Sequence, residues 1–253
     1  MTGELRLPPG FRLAHYDTIG STNDEAKRLA HDGAASATIV WAEAQSAGRG
    51  RRGRGWVSPP GNLYLSLLWR PDCPIADAAQ LGFVAALAMA DALDGLVPAG
   101  LKLRYKWPND ILLDGKKIAG ILLESETSGN ATANFVVIGV GVNLASSPQD
   151  TESPATSLAE EGIAGIAPGA VLAGFAGGFA QWERIWRGEG FAPIRAAWLA
   201  RAGGIGEEIR VRLDRTVLYG RFRDLDEAGA LLLDEASGCR RIAAGDIFPV
   251  AGW

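Results

Sequence analysis

The sequence predicts an α+β fold in which a mixed β-sheet packed with helices, over residues 1–203, is followed by a small all-β barrel over residues 204–253. Two observations support this prediction. Strand-like and helical segments are interspersed up to about residue 200, and after a glycine-rich break at residues 203–206 only short strand-like runs follow. A chain of 253 residues is long enough for one large domain with a small one attached.

Residues 11–45 predict a strand over 11–19, a short helix and a second strand over 38–45. Thr22 and Glu25 have the spacing of a helix capping box, and Gly33 follows the last apolar position of the helix. Further strands are predicted over residues 62–70, 101–107 and 135–144. A largely apolar helix over about residues 75–96 has to pack on this sheet, because it is too hydrophobic to be exposed to water.

Three signals indicate where strands lie within the sheet. Pro108 should confine the strand before it to an edge, since proline cannot donate a hydrogen bond to a central ladder. Asp114-Gly115 predicts a hairpin between residues 110–113 and 116–126. The run over residues 135–144 is too apolar for an edge strand and is expected in the interior of the sheet.

The last third of the chain contains helices and then short strands. Helices are predicted over about residues 168–187 and 192–202, with Trp182, Trp186 and Trp198 as expected core anchors. The C-terminal strands are predicted over residues 208–213, 217–224, 230–234 and 239–247. The glycines before them predict a flexible hinge between the two parts.

The composition is that of an ordinary globular protein, with 47% hydrophobic residues, 21% charged residues and a net charge of −4. The N-terminus lacks a basic segment followed by an apolar core, so we expect no signal peptide. The longest apolar stretch, Leu81 to Ala90, is too short to span a bilayer. These features predict a cytoplasmic protein that does not bind membranes. Cys73 and Cys239 are too few for a disulfide framework or a cysteine-rich metal site.

A loop between Gln45 and Trp56 alternates glycine with arginine, with arginines at positions 49, 51, 52 and 54. Neighbouring guanidinium groups repel one another, and glycines increase the entropy that is lost when the loop becomes ordered. Arginine pairs with carboxylate and phosphate oxygens, and glycine lets backbone N–H groups approach the same oxygens. The loop therefore predicts a site for a polyphosphate or for a ligand with both phosphate and carboxylate groups.

Other interpretations of this loop remain at this point. Gly48, Gly50 and Gly53 have the spacing of a dinucleotide fingerprint, but the following Pro59-Pro60 and strand-like run provide no helix to receive a pyrophosphate. A nucleic-acid segment is a second possibility, which the single short cluster and the negative net charge disfavour. A solvated surface loop without a specific ligand is the third.

A second motif, Lys106-Trp107-Pro108-Asn109-Asp110, lies at a strand end. Taken alone, Lys106 is more simply a solvated lysine at a sheet edge. The combination is more specific, because the chain carries in order Ser21-Thr22-Asn23, Gln45 with the arginine-glycine loop, Lys106 to Asp110, Gly120 to Glu124 and Gly139 to Asn143. Together these motifs resemble the biotin protein ligase family over about residues 10–250.

The resemblance implies a mixed sheet of the class II aminoacyl-tRNA synthetase and biotin ligase type, followed by an SH3-like barrel. Some relatives carry an N-terminal helix-turn-helix repressor domain, whereas here only about ten residues precede the first predicted strand. The resemblance therefore implies a single-function ligase that does not bind nucleic acid.

The implied activity is ATP-dependent conversion of biotin to biotinyl-5'-AMP, followed by transfer to a lysine of a biotin carboxyl carrier protein of acetyl-CoA carboxylase or a related carboxylase. In the first step a carboxylate meets an α-phosphate, and two such anions ~4 Å apart repel by roughly 4 kcal/mol at an effective dielectric near 20. Lys106 and Arg51 are the expected catalytic residues, because cations offset that repulsion. Mg²⁺ is expected on the phosphates, through protein ligands that the sequence does not reveal.

The resemblance also implies two sets of binding residues. The biotin set consists of Ser21, Thr22, Asn23, Gln45, Arg49, Gly50, Arg51, Lys106, Gly139 and Gly141. The ATP set consists of Arg49, Arg51, Arg54, Trp56, Lys106 and Asn143, with Asn143 as the expected adenine reader and Trp56 as an apolar wall. Gly139 and Gly141 are expected to let the biotin ring system lie flat on their strand. Simpler roles remain open, since Thr22 could only cap a helix, Trp56 could belong to the core, and the two strand glycines could serve packing.

The main competing prediction is a lipoate or octanoate ligase or transferase, which shares the fold and the carrier-protein substrate. The transferases use a cysteine nucleophile, and neither Cys73 nor Cys239 lies beside a plausible base in the sequence. His15 and His31 complete no triad pattern and are expected to be surface or structural residues. The sequence leaves open which carrier is modified and whether the protein is a monomer or a homodimer.

Overall fold

The computed structural model describes residues 5–127, 131–149 and 151–250. The first four residues of the N-terminus, for which no signal peptide is expected, lie outside the described residues. The described residues form two β-sheets, one of seven strands and one of five. Five α-helices pack on the larger sheet, on the smaller one or between them. The mixed α+β architecture is as predicted.

The larger sheet is built from β1 (Arg12–Ile19), β2 (Thr38–Gln45), β3 (Leu63–Trp69), β4 (Leu103–Lys106), β5 (Asp110–Leu113), β6 (Lys116–Thr127) and β7 (Ala133–Val142). Its spatial order is β1-β2-β3-β7-β6-β5-β4, and only the β1–β2 pair is parallel. The apolar strand β7 is interior, and β4 lies at an edge just before Pro108, as predicted. The β5–β6 hairpin turns at Asp114 and Gly115, which both have positive φ.

The helices are α1 (Thr22–His31), α2 (Ile75–Ala78), α3 (Leu81–Asp94), α4 (Pro168–Glu189) and α5 (Phe191–Leu199). The single helix predicted over residues 75–96 is therefore two helices. The backbone N–H groups of Gln80, Gly82 and Phe83 donate to carbonyls three residues earlier, and this tighter turn separates α2 from α3.

Helix α3 is the central helix of the structure. By length and composition the stretch Ile75–Asp94 could cross a membrane, so the apolar stretch is longer than the sequence analysis allowed, but most of it is buried inside the protein. Glycines on α4 let the two helices approach closely, since a Cβ at Gly178 would lie 3.2 Å from the Cα of Ala88. Trp186 and Trp198 are buried beside this helix pair, as expected for core anchors.

The smaller sheet consists of β8 (Glu208–Arg212), β9 (Val217–Leu225), β10 (Leu231–Glu235), β11 (Gly238–Ile242) and β12 (Asp246–Pro249). Its order is β11-β10-β9-β8-β12, with antiparallel pairs throughout. The strand predicted over residues 239–247 is split into β11 and β12. These two strands lie at opposite edges and do not pair with each other, so the expected barrel is an open sheet.

The smaller sheet is firmly attached to the larger part. The indole N–H of Trp107 donates to the carbonyl of Gly229 at 3.0 Å, and Arg195 pairs with Asp224 at 2.5 Å. The predicted flexible hinge is also bonded, because the N–H of Gly203 donates to the Tyr105 carbonyl at 2.8 Å. A groove between the two parts is therefore held in a defined shape, and it contains the candidate site.

Candidate active site

One cavity of about 320 Å³ lies where the arginine-glycine loop, the sheet and β12 meet. A cavity of this size is within the range of small-molecule sites. Its lining includes all the predicted site residues, namely Ser21, Thr22, Asn23, Gln45, Arg49, Gly50, Arg51, Arg54, Trp56, Lys106, Gly139, Gly141 and Asn143. The fold therefore brings the predicted set together, while the ligand that each residue binds stays a prediction.

One end of the cavity is lined by a hydrogen-bonded network of uncharged side chains at the start of α1, in which Asn23 Nδ2 also donates to the Glu124 carboxylate at 2.6 Å. The N–H and hydroxyl of Thr22 donate to Gln45 Oε1 at 2.8 and 3.1 Å, and Gln45 Nε2 donates to Ser58 Oγ at 3.0 Å. Ser66, which the sequence analysis missed, is buried with its Oγ 2.8 Å from the Thr22 hydroxyl and 2.5 Å from Asn23 Oδ1. These interactions fix the side chains before any ligand arrives.

The predicted capping box at Thr22 does not form. Ser21 is the N-cap and makes no side-chain cap hydrogen bond, and Thr22 is the first helical residue. Glu25 instead accepts a hydrogen bond from the Tyr16 hydroxyl at 2.8 Å and pairs with Arg28 at 2.6 Å. Because its hydroxyl faces the cavity network, Thr22 is more than a helix cap.

The predicted role of Gly139 and Gly141 needs correction. We expected these glycines to let a ligand ring lie flat on the strand. The space above them is filled by the protein, since a Cβ at Gly139 would collide with the amide of Asn23 and a Cβ at Gly141 would lie 2.5 Å from Trp56. The glycines thus make room for Asn23 and the indole ring, which form the inner surface of the cavity.

The arginine-glycine loop is a tight turn that leaves β2 and returns towards the sheet. The N–H of Gly50 donates to the Arg54 carbonyl at 2.7 Å, and Arg52 and Gly53 have positive φ values of 55° and 71°. Gly48 is required by a close approach, because a Cβ there would lie 2.5 Å from both Ser58 Oγ and the Trp56 carbonyl. The turn contains a short 3₁₀ segment and no α-helix follows it before β3, so the dinucleotide-fingerprint interpretation is wrong.

The arginines of this loop have acidic or polar partners from distant elements. Arg49 pairs with Asp24 on α1 at 2.5 Å. Arg51 donates to Asn109 Oδ1 at 3.2 Å and also reaches the Gly245 carbonyl. Arg54 pairs with Asp246 at 3.2 Å. The interpretation of a solvated loop without specific contacts is therefore wrong.

Asp246, at the start of β12, was missed by the sequence analysis. Its side chain is buried, with carboxylate oxygens 3.2 Å from Arg54, 3.6 Å from Arg51, 3.7 Å from Arg52 and 3.1 Å from Arg212. Burial alone would raise the pKa of Asp246, but the hydrogen bond from Arg212 and the charges of the loop arginines lower it below its usual value. This carboxylate holds the cationic loop against the C-terminal sheet.

Lys106 is buried, with 7% of its surface exposed, so the interpretation of a solvated edge lysine is wrong. Its Nζ lies 3.3 Å from Ser153 Oγ and 4.9 Å from the centre of the Phe248 ring. Burial lowers the pKa of Lys106, and the nearby carboxylates Asp110 and Asp246 oppose that effect. A buried lysine that lines the same cavity as the hydrogen-bonded network and the arginines is well placed to meet anionic groups.

Asn143 lines the cavity, but its amide is engaged by the backbone. Its Nδ2 donates to the carbonyl of Thr156 at 3.0 Å, and its own N–H donates to the Ile118 carbonyl. These bonds attach β7 to the segment that forms one cavity wall. Its role as an adenine reader stays a prediction.

The carboxylates of the cavity are committed to ion pairs. Asp110 pairs with Lys117 at 2.6 Å, and Glu152 pairs with Arg212. Within residues 5–127, 131–149 and 151–250, no three His, Cys, Asp or Glu side chains are grouped so that they could hold a metal ion.

Comparison with known proteins decides between the families that these motifs suggest. Residues 16–143 match the biotin/lipoate A/B protein ligase family, and residues 204–248 match the biotin protein ligase C-terminal domain. The chain belongs to the biotin/lipoate A/B protein ligase family. The chain is 44% identical over 233 residues to a biotin--[acetyl-CoA-carboxylase] ligase of Paracoccus denitrificans, a match that spans 90% of this chain and 96% of that protein.

Other relatives agree with this placement in the family. The chain is 36% identical to the bifunctional ligase/repressor BirA of Bacillus subtilis, over 94% of this chain and 74% of that protein. Among solved structures it is similar to the biotin protein ligase from Aquifex aeolicus in complex with biotin and ATP, with a TM-score of 0.79 and 26% identity. That match covers 94% of this chain and 97% of the other.

Proposed function

We propose that this protein activates biotin with ATP and transfers it to a carrier protein. In the first step a biotin carboxylate oxygen attacks the α-phosphorus of ATP, so that biotinyl-5'-AMP forms and pyrophosphate leaves. In the second step the amine of a carrier lysine attacks the acyl carbon, so that an amide forms and AMP and a proton leave. The Paracoccus relative named above is a biotin--[acetyl-CoA-carboxylase] ligase, and the structure from Aquifex aeolicus holds both biotin and ATP.

The observation that supports this proposal best is that one cavity is lined by a network of uncharged polar side chains, by the loop arginines and by the buried Lys106. A bicyclic urea is polar but uncharged, so a buried site has to pair its N–H and C=O groups. Thr22, Asn23 and Gln45 supply such donors and acceptors from fixed positions. Biotin's ring system binds at the end of the cavity that this network lines, with its carboxylate directed towards Lys106.

The cationic end receives the nucleotide. Arg49, Arg51 and Arg54 bind the phosphates, and Lys106 bridges the biotin carboxylate and the α-phosphate as they approach. The loop arginines are held at present by Asp24 and Asp246, and phosphate oxygens can replace such carboxylates as partners. Charge repulsion between the two reacting anions is thereby offset at the point where the new bond forms.

Several further expectations belong to this proposal. ATP is expected to enter as its Mg²⁺ complex, in which the metal ion binds the phosphates. The carrier is the biotin carboxyl carrier protein of acetyl-CoA carboxylase or of a related carboxylase. The ligase acts in the cytoplasm, as a monomer or a homodimer, without nucleic acid or membrane. Residues 1–203 form the catalytic domain, and residues 204–253 form the C-terminal domain.

The experiment that tests the proposal is pyrophosphate release by the purified protein with MgATP and one of three acids. We expect release with biotin and none above background with lipoate or octanoate. Addition of a biotin carboxyl carrier domain should give a mass increase of one biotinyl group, which a Lys→Arg variant of the carrier's target position abolishes. Release with lipoate instead of biotin would place the protein in the competing branch of the family.

A further inference from the structure

The C-terminal sheet reaches the cavity through a single strand, β12. Side chains alternate along a strand, and in β12 Ile247 belongs to the hydrophobic core while Asp246 and Phe248 lie on the opposite face. Asp246 contacts the arginine loop, and Phe248 lines the cavity beside Lys106. The sheet therefore contributes an acid and an aromatic ring, two residues apart, to a site that is otherwise built by the larger sheet.

Phe248 is buried among cations rather than among apolar side chains. The centre of its ring lies 4.9 Å from Lys106 Nζ, 4.6 Å from Arg210 Cζ and 5.0 Å from Arg212 Cζ. Only 8% of the residue is exposed, yet Phe248 belongs to neither hydrophobic cluster that the described residues form. The face of an aromatic ring carries partial negative charge and attracts cations within about 6 Å of its centre. The Phe248 ring therefore attracts each of these three cations.

We infer that Phe248 is a positioning residue for Lys106. The ring holds the ammonium group where the biotin carboxylate and the α-phosphate meet, and it keeps water from that side of the lysine. This inference rests on the proposed function and adds a specific contribution of the C-terminal sheet to biotin activation. Phe248 does not touch the reacting atoms, so its effect has to appear through Lys106.

The charged groups around the lysine determine what removal of the ring should do. Lys106 faces Asp110 on β5, Lys117 on β6, Glu152 in the segment after β7 and Asp246 on β12. Phe248→Leu leaves these groups in place and keeps an apolar side chain beside the ammonium, but it removes the attractive ring face. The charged form of Lys106 then loses stabilisation, so the alkaline limb of the pH profile should move to lower pH.

The first test is the pH dependence of pyrophosphate release for three variants. We expect Phe248→Leu to lose roughly threefold to thirtyfold in kcat/KM for biotin, with an alkaline limb at lower pH than in the wild type. Phe248→Tyr retains the ring and should retain both values. Tyr219→Leu is a matched control, because Tyr219 is the residue paired with Arg210 on the neighbouring strand and is 63% exposed.

The second test is calorimetric titration with biotin in a double-mutant cycle with Lys106→Met. If the ring acts through the lysine, Phe248→Leu weakens biotin binding in the wild type and has no further effect in Lys106→Met. The inference would be overturned if the two substitutions weakened biotin binding additively, or if the alkaline limb of the Phe248→Leu pH profile did not move. It would also be overturned if a lower melting temperature were the sole change in Phe248→Leu. If the wild type is active and Phe248→Leu behaves like the wild type, the inference about Phe248 is rejected and the proposed function stands. If the wild type itself is inactive, the proposed function is rejected.

Discussion

The two ends of the cavity are built in different ways. At the uncharged end, Thr22, Gln45 and Ser66 hydrogen bond to one another and lie on α1, β2 and β3. At the cationic end, the arginines lie on a loop, and their ion-pair partners Asp24 and Asp246 lie on α1 and β12. One end is fixed by hydrogen bonds between helix and strand residues, and the other depends on ion pairs that hold a loop.

This difference has a functional meaning within the proposed reaction. A preformed network can select an uncharged ring system, because an analogue that lacks a polar group leaves buried partners unpaired. A loop held by ion pairs can exchange carboxylate partners for phosphates when the nucleotide arrives and recover them when pyrophosphate leaves. Selection of the vitamin and handling of the nucleotide are thereby assigned to separate ends of one cavity.

The largest effect is expected at the buried lysine of the cavity. Lys106→Met keeps the volume of the side chain and removes its charge, so biotin activation should fall by at least about 100-fold, because the reacting anions lose a fixed positive charge. The measurement is pyrophosphate release at saturating biotin and MgATP. Lys116→Met is the matched control, since Lys116 lies on β6 of the same sheet, pairs with Glu161 and does not line the cavity. Comparable losses in the two variants would remove Lys106 from the mechanism.

An intermediate effect is expected at the uncharged end. Thr22→Val keeps the shape of the side chain but removes the hydroxyl between Gln45 and Ser66, so biotin affinity should fall by about 1–3 kcal/mol. The KM for ATP should change little, and calorimetry with biotin measures the loss directly. Thr38→Val serves as the control, because the Thr38 hydroxyl donates to the Ala35 carbonyl outside the cavity. An unchanged biotin affinity for Thr22→Val would show that this network does not recognise the biotin ring system.

A smaller effect, on stability, is expected where the loop meets the C-terminal sheet. Asp246→Asn should lower the free energy of unfolding at neutral pH by about 1–3 kcal/mol, because four arginines lose their shared anion. The folded-state pKa of Asp246 is lowered from 3.8, so its stabilisation is present above that value and disappears as the pH falls below it.

Denaturant unfolding of both proteins at neutral and acidic pH measures this difference. The gap between Asp246→Asn and the wild type should narrow as the pH falls through the folded-state pKa of the carboxyl group. Asp234→Asn is a suitable control, since Asp234 forms an exposed, longer ion pair with Arg223 at 3.6 Å. A gap that stays constant with pH would show that the carboxylate charge does not hold the loop.

Local motifs carried most of what the sequence could predict. The motifs of Lys106 and of the arginine loop were found because their residues are contiguous. The positions of β4 and β7 in the sheet were predicted correctly because each is signalled locally, by Pro108 just after β4 and by the apolar run of β7. The break between α2 and α3 was missed, since no proline or positive-φ glycine marks it and the turn depends on backbone hydrogen bonds around Gln80.

Residues that reach the site from far away could not be predicted. Arg54 and Asp246 are 192 positions apart and meet only because β12 pairs with β8 at the edge of the smaller sheet. Ser66 lies in β3, a strand that is buried at nearly every position. Nothing in its neighbourhood therefore distinguishes it from a serine that only packs in the core. The open edge of the smaller sheet was likewise missed, because strand pairing depends on contacts beyond any one segment.

Salt dependence of the two binding steps tests the division of the cavity most directly. Calorimetry should first titrate biotin alone and then a non-hydrolysable MgATP analogue into the biotin-saturated protein, at low salt and at ~0.5 M salt, where exposed charges are strongly screened. We expect tight biotin binding that changes less than about twofold, and nucleotide binding that weakens several-fold as the loop arginines are screened. Absence of heat with biotin, or an equal salt dependence of both steps, would contradict a neutral vitamin site beside a cationic nucleotide site.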